Sequence, residues 1–198
     1  AIGCSTRPRA VEGSYMPCFT VGHGTARALA AACGVPLYTF SHQQGHIAAA
    51  LWSSDRLDLL GKQFIAFHVS GGTTEAVLVE PKADDPLHAE ICAQSLDLKG
   101  GQAVDRVGKL LGLPFPAGPA LEALAEKSSR TFSVRPSMKG ADCSLSGIEN
   151  RCQRLVQQGM PPEDVARFCL DSLFAALDAM AKELLRQYPG LPLVFAGG

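Results

Sequence analysis

Apolar positions fall into strand-length runs and helical stretches along the chain. Residues 64–69 (FIAFHV) are a continuous apolar run. Residues 74–80 alternate, and 88–95 form a third run of strand length. Ser70-Gly71-Gly72-Thr73 joins the first two runs, which predicts a β-hairpin. The polar turn 81–86 (PKADDP) extends it to a three-stranded meander. Upstream, residues 1–4 read as a buried strand and 5–17 as an ordered loop rich in Arg, Gly and Pro. Residues 19–33 read as a helix stopped by Gly34, 35–40 as a strand and 42–53 as a helix. That strand–helix–strand succession predicts a βαβ unit with parallel strands. Downstream, helices are expected over 101–111, 118–127, 145–158 and 164–188. Residues 130–143 are mixed and broken by proline, and 191–195 form a closing strand. Gly159 and Pro161-Pro162 separate the last two helices, and a Leu, Phe and Ala stripe marks the core face of the longer one. The expectation is an α/β protein in two parts, 1–61 and 62–198.

Composition narrows the function classes. The chain is 46% hydrophobic and 19% charged, the balance of a soluble globular protein. A net charge of -1 provides no overall basic field for nucleic acid, so any such contact must come from a local patch. No apolar run reaches the roughly 18 residues of a membrane span, and no signal-peptide pattern is present. Seven scattered cysteines, none in a CxxC pair, read as small buried hydrophobes in a reducing cytoplasm. The chain opens on a strand with no start signal and closes on Gly197-Gly198, where a turn into a helix is expected. It reads as the middle of a longer chain.

The candidate chemistry lies on glycines, histidines and two carboxylates. In Ser70-Gly71-Gly72-Thr73 the glycines let the backbone approach a ligand and the hydroxyls add donors, as in a phosphate cradle; the same residues also make an ordinary turn. His42 and His46 are spaced i, i+4, so a helix starting by residue 42 puts both imidazoles on one face. They can share a metal or serve as helix-terminal hydrogen-bonding residues. The HQQGH motif lacks the Glu of HExxH, so zinc-protease chemistry is not indicated. His68, just ahead of the loop, reads either as a third nitrogen donor or as a cross-strand polar residue. Asp105 lies early in a helix, four residues after Gly101, and suits a ribose diol, or is a solvated helix carboxylate. Arg7 and Arg9 read as solvated loop charges or as an anion contact.

Taken in order, SHQQGH (41–46), VSGGTT (69–74), GGQAVD (100–105), FPAGPA (115–120) and LVFAGG (193–198) resemble the tRNA threonylcarbamoyladenosine transferase family. This family, also called the glycoprotease or O-sialoglycoprotein endopeptidase family, belongs to the actin-like ATPase superfamily. The resemblance implies an actin-like ATPase fold, shared with sugar kinases, whose two lobes clasp a nucleotide and which is here incomplete at both ends. Residues 1–61 would be the C-terminal part of lobe one and 62–198 lobe two. It implies a divalent metal, iron or zinc, on His42 and His46. His68 stands where one branch of the family supplies a further ligand, and the family's aspartate ligand lies beyond residue 198. Ser70, Gly71 and Gly72 would contact the threonylcarbamoyl and phosphate portion of the substrate. Thr73 stands where the family usually has His or Asn. Asp105 and Glu122 would hold the ribose, Gly118 the adenosine, and Gly197 and Gly198 the adenine.

The implied activity is metal-dependent transfer of a threonylcarbamoyl group from threonylcarbamoyl-AMP to N6 of a tRNA adenosine next to the anticodon. The implied ligands are a divalent metal and an adenine nucleotide. The implied partners are tRNA and the proteins of the threonylcarbamoyl transfer complex, including a family paralogue forming a heterodimer, in the cytoplasm with no membrane. Gln102 replaces the family's usual Glu, and 5–17 is longer than the family's Gly-Pro-Gly turn. These departures keep a second class in view, a non-catalytic nucleotide-binding paralogue acting as scaffold or regulator. A sugar kinase would account for the cleft but not for His42 and His46.

Overall fold

The computed structural model describes residues 1–197. Cα packing divides the chain into two compact units. One is Ala1–Ala66 with Leu78–Glu90; the other is Phe67–Val77 with the chain from Ile91 onward.

In the first unit, β1 (Ile2–Arg7) and β2 (Leu37–Ser41) pair in parallel, with Ile2 opposite Leu37, and α1 (Pro17–Cys33) is the crossover. The βαβ expectation holds. The loop expected over 5–17 is shorter, because β1 continues to Arg7 against Ser41 after a register shift, and α1 starts at Pro17. Pro17 opens the helix at a position where a missing N–H costs nothing. Gly34 closes it in the left-handed region (φ 62°), its N–H directed to the Ala30 and Ala31 carbonyls. Helix α2 (His42–Ser53) begins behind a capping box. Ser41 Oγ accepts from Gln44 N (3.2 Å) and Gln44 Oε1 accepts from Ser41 N (2.6 Å). Gln44 Nε2 also donates to Asp85 Oδ1 (2.6 Å), which ties the start of α2 to the turn before β5.

The meander strands β3 (Phe64–Val69), β4 (Thr74–Val79) and β5 (Ala89–Gln94) form a four-stranded sheet with β8 (Leu193–Gly197), in the order β5-β4-β3-β8. Phe64–Phe67 and Thr74–Val77 are buried at every position, the signature of strands covered on both faces. In the second unit the helices are α3 (Gly100–Leu110), α4 (Gly118–Ala125), α5 (Ser146–Gln157) and α6 (Pro162–Gln187). The core face of α6 is the apolar stripe of the sequence, with Val165, Cys169, Ala176, Met180 and Leu184 buried. The stretch 130–143, expected to be irregular, contains a hairpin of β6 (Ser137–Lys139) and β7 (Asp142–Ser144), turning at Gly140 (φ 62°). Strands of three mostly polar residues carry no periodicity from which they can be recognised. No helix among the described residues is long and apolar enough to cross a membrane.

Two local constraints organise the second unit. The first is the contact between the turn after β3 and the first turn of α3. Gly101 N donates to Ser70 O (3.1 Å) and Gly100 N to Thr74 Oγ1 (2.7 Å). A Cβ on Gly101 would lie 2.6 Å from Gly71 N and 2.7 Å from its Cα, so the two backbones meet where only glycine fits. The second is Asp97. Helix α5 has Leu145 at its N-cap, with no side-chain cap of its own. Asp97 supplies one from 48 residues away, accepting from Leu145 N (2.7 Å), Ser146 Oγ (2.6 Å) and Leu98 N (2.6 Å). Burial acts to raise the Asp97 pKa, but the bonds from Ser146, Leu145 and Leu98 outweigh it and hold the carboxyl below the usual carboxylate range.

Gly101→Ala should destabilise the fold by about 1–3 kcal/mol, because the methyl meets backbone that cannot step aside. Gly45→Ala in α2, where a Cβ meets nothing within 4 Å, should stabilise by about 0.5–1 kcal/mol. Urea midpoints of the two variants measure the opposite signs.

Asp97→Ala should cost about 1.5–3 kcal/mol at pH 7, the value of charge-assisted capping bonds. Because the folded pKa is depressed, this contribution is present above the unfolded value of about 3.9 and is lost as pH falls through the folded pKa. The stability gap between wild type and variant should therefore be full at pH 6 and shrink below about pH 4, as followed by denaturation at each pH.

Candidate functional site

In the second unit the hairpin loop is a two-residue turn. Ser70 N donates to Thr73 O (2.7 Å), and Ser70 Oγ accepts from Thr73 N (3.2 Å). Gly71 and Gly72 are exposed, and neither has a positive φ. Nothing lies within 4 Å of where their Cβ atoms would be, so they are not required by local packing or by backbone strain. Their effect is to leave peptide edges bare: among the described residues neither N–H has a backbone acceptor. Thr74, which the sequence reading did not single out, joins this loop to α3. It is 1% exposed, and its hydroxyl donates to Thr73 O (2.8 Å) while accepting from Gly100 N. A buried hydroxyl just after a Gly-Gly turn was the available signal.

Two further segments meet the same region of this unit. Gly197 ends β8 against β3, and a Cβ there would collide with the Val69 carbonyl oxygen. Phe195 stacks on Phe67 with centroids 4.5 Å apart. Gly198 lies outside the described residues. His68 is half-buried on β3, two residues ahead of the loop.

Helix α3 leads from the loop to Asp105. Gln102 accepts from Lys99 N through Oε1 (3.2 Å), a capping bond at the start of the helix. Asp105 is half-buried, and its Oδ1 accepts from Ala117 N (2.8 Å). Ala117 immediately precedes Gly118, the first residue of α4, so the Asp105 side chain positions the backbone that presents Gly118. The packing of Gly108 against Ala117, where an added Cβ would overlap, reinforces this junction. Glu122 lies one turn further along α4, exposed. It lines a cavity of about 260 Å³ between α4 and α6, with Glu126 on one side and Arg167, Asp171 and Phe174 on the other. Arg167 and Asp171 are paired there at 2.8 Å.

The first unit contains the histidine pair. Since α2 starts at His42, both rings stand on one face. Their Nε2 atoms are 3.0 Å apart, with ring centroids at 4.4 Å, and the Phe19 ring lies 5.5 Å from that of His42. Two nitrogens on a tetrahedral zinc at 2.0–2.1 Å are separated by about 3.3 Å. At 3.0 Å the two nitrogens stand at hydrogen-bonding distance, slightly closer than that spacing. Among the described residues no group of three or more His, Cys, Asp or Glu is arranged to hold a metal.

Comparison with known proteins adds to this geometry. The family model described as tRNA N6-adenosine threonylcarbamoyltransferase matches residues 13–198. Curated relatives carrying that name include one from Chelativorans sp., 34% identical over 214 residues, covering 100% of this chain and 56% of the relative. Relatives from Lactobacillus acidophilus and Lactobacillus gasseri are 32% and 30% identical, each covering 90% of this chain and 51% of the relative. The chain spans about half the length of the curated relatives it matches. The match runs through every motif from the histidine pair to the final glycines, and the chain belongs to the tRNA N6-adenosine threonylcarbamoyltransferase family.

Proposed function

We propose that this chain carries the donor-binding part of an enzyme that moves a threonylcarbamoyl group from threonylcarbamoyl-AMP to N6 of a tRNA adenosine beside the anticodon. The observation that supports it most directly is the Gly71-Gly72 loop, its amides bare, held against the first turn of α3. In the reaction, N6 bonds to the carbamoyl carbon and loses a proton. The bond from that carbon to the phosphate oxygen breaks, and AMP leaves with the electron pair. Charge grows on the phosphate, where the bare loop amides and the Ser70 and Thr73 hydroxyls can receive it. Asp105 holds the start of α4 with one oxygen and turns the other to the ribose. Glu122 serves as a second ribose carboxylate, Gly118 lies along the adenosine, and Gly197 and Gly198 along the adenine. His42 and His46 hold a divalent ion, iron or zinc, with His68 a further candidate. When bound, the ion supplies Lewis acidity to the carbamoyl oxygen.

The same reading assigns an actin-like ATPase fold, with 1–61 in lobe one and 62–198 in lobe two. It places the protein in the cytoplasm with tRNA and with partner proteins of the transfer complex, including a paralogue as heterodimer partner.

The test is formation of threonylcarbamoyladenosine by the full-length protein with its partners, given threonine, bicarbonate, ATP and the upstream enzyme. Wild type should make product. His42→Ala/His46→Ala should lose the bound ion by elemental analysis and lose product, while retaining AMP binding. A wild-type protein that binds metal and nucleotide but makes no product would point instead to a non-catalytic scaffold.

Asp105→Asn keeps an oxygen for Ala117 N but removes the charge. AMP affinity should fall by about 1–2 kcal/mol, some five- to thirtyfold, with the unfolding midpoint nearly unchanged. Calorimetry with AMP reads the first quantity and urea denaturation the second.

A further inference from the structure

A second cavity in the second unit, of about 160 Å³, lies apart from the residues assigned above. The β6–β7 hairpin, α5 and α6 enclose it. This is room for several waters. Its polar lining comes from Arg135, Ser137, Ser144, Gly147, Arg151 and Ser172, and no carboxylate lines it.

The two arginines set it apart. Four other arginines of this unit are neutralised, Arg106 by Glu149 (3.0 Å), Arg130 by Asp164 (3.1 Å), Arg167 by Asp171 (2.8 Å) and Arg186 by Glu183 (2.7 Å), while Arg154, outside the cavity, donates to the Asn150 carbonyl (3.4 Å). Arg135 and Arg151 have no carboxylate partner among the described residues, although they stand on the rim of one cavity. Arg151 is held over the Phe168 ring, its guanidinium carbon 5.1 Å from the centroid. This contact engages the π face of the ring and uses none of the guanidinium N–H donors, which stay available to an acceptor. Around the pair are hydroxyls of Ser137 and Ser144 for which no protein hydrogen bond is recorded, and the Gly147 N–H. The neighbouring amides are engaged: Leu145 and Ser146 donate to Asp97, and Ile148 to the Leu145 carbonyl. Two like charges on one rim repel each other, and an anion between them relieves that repulsion. Planar forks with hydroxyl donors match a tetrahedral oxyanion, and phosphate above all.

We propose that Arg135 and Arg151 form a phosphate-binding site at the mouth of this cavity and that the phosphate belongs to an RNA backbone. The choice of RNA as the source rests on the transferase reading; the affinity for phosphate does not. With a net charge of -1 the chain offers RNA no general attraction, so two unneutralised arginines are a local means of holding it.

The experiment compares wild type, Arg135→Gln/Arg151→Gln and Arg151→Lys in the full-length protein with its partners. Three ligands are titrated: a fluorescent tRNA transcript across a salt series, inorganic phosphate, and AMP. For the double variant, tRNA affinity should drop about tenfold near 0.15 M salt. The slope of log affinity against log salt should flatten by about 1.4–1.8, the release expected for two phosphate contacts. Arg151→Lys, which keeps the charge, should retain most of the slope. AMP affinity and the unfolding midpoint should not move. Unchanged tRNA affinity and slope in the double variant, with phosphate binding also unchanged, overturns the site. Loss of phosphate binding with tRNA unaffected overturns RNA as the source and leaves a free-phosphate site. If wild type binds no tRNA but binds phosphate through the arginines, the transferase reading fails and the phosphate site stands.

Discussion

Gly101 packs directly on the peptide of Gly71, and much of the candidate site depends on that contact. It seats α3 on the hairpin loop with no side chain between them, and the bonds from Gly100 and Gly101 to Thr74 and Ser70 set its angle. From there positions propagate along rigid structure. Asp105 lies one helical turn on and reaches Ala117, which fixes where α4 begins. Loop amides, the free oxygen of Asp105 and Gly118 are thus placed by one backbone contact, one helix and one side-chain hydrogen bond. Scaffolds of this kind position binding groups better than flexible loops do.

The two parts of the candidate chemistry are built differently. The loop and Asp105 are held by neighbours whose geometry leaves little slack. The histidine pair depends only on the phase of α2, which the capping box of Ser41 and Gln44 sets. The Gln44 bond to Asp85 then anchors that helix start to the turn ahead of β5. A one-residue slip would turn the imidazoles about 100° apart from their present face, since each residue advances a helix by that angle.

Much of the fold was legible because its signals are local. Gly34 placed the end of α1, and the Gly-Gly turn placed the first hairpin. What stayed hidden depends on residues distant in sequence. The β6–β7 hairpin has no periodicity, and β1 is longer than its apolar residues because parallel pairing with β2 carries it on to Arg7. For the candidate site, spacing singled out His42 and His46, and the Gly-Gly pair singled out the loop, as candidates. Neither could indicate that one oxygen of Asp105 already serves the protein, that Thr74 ties loop to helix, or that Glu122 lines a cavity between α4 and α6. The unpaired state of Arg135 and Arg151 was also hidden, because it depends on which carboxylates the fold brings near each arginine.

The cap on α5 bears on the order in which the chain assembles. A helix of twelve residues is marginal alone in water, and this one cannot cap itself because its first flanking residue is Leu145. Its missing acceptor arrives with Asp97, on the segment between β5 and α3. Helix α5 therefore gains its full N-terminal stability only after that distant segment has docked. That part of its stability is tied to the closure of a long loop, and its N-terminal turn should fray whenever the Asp97 segment comes away.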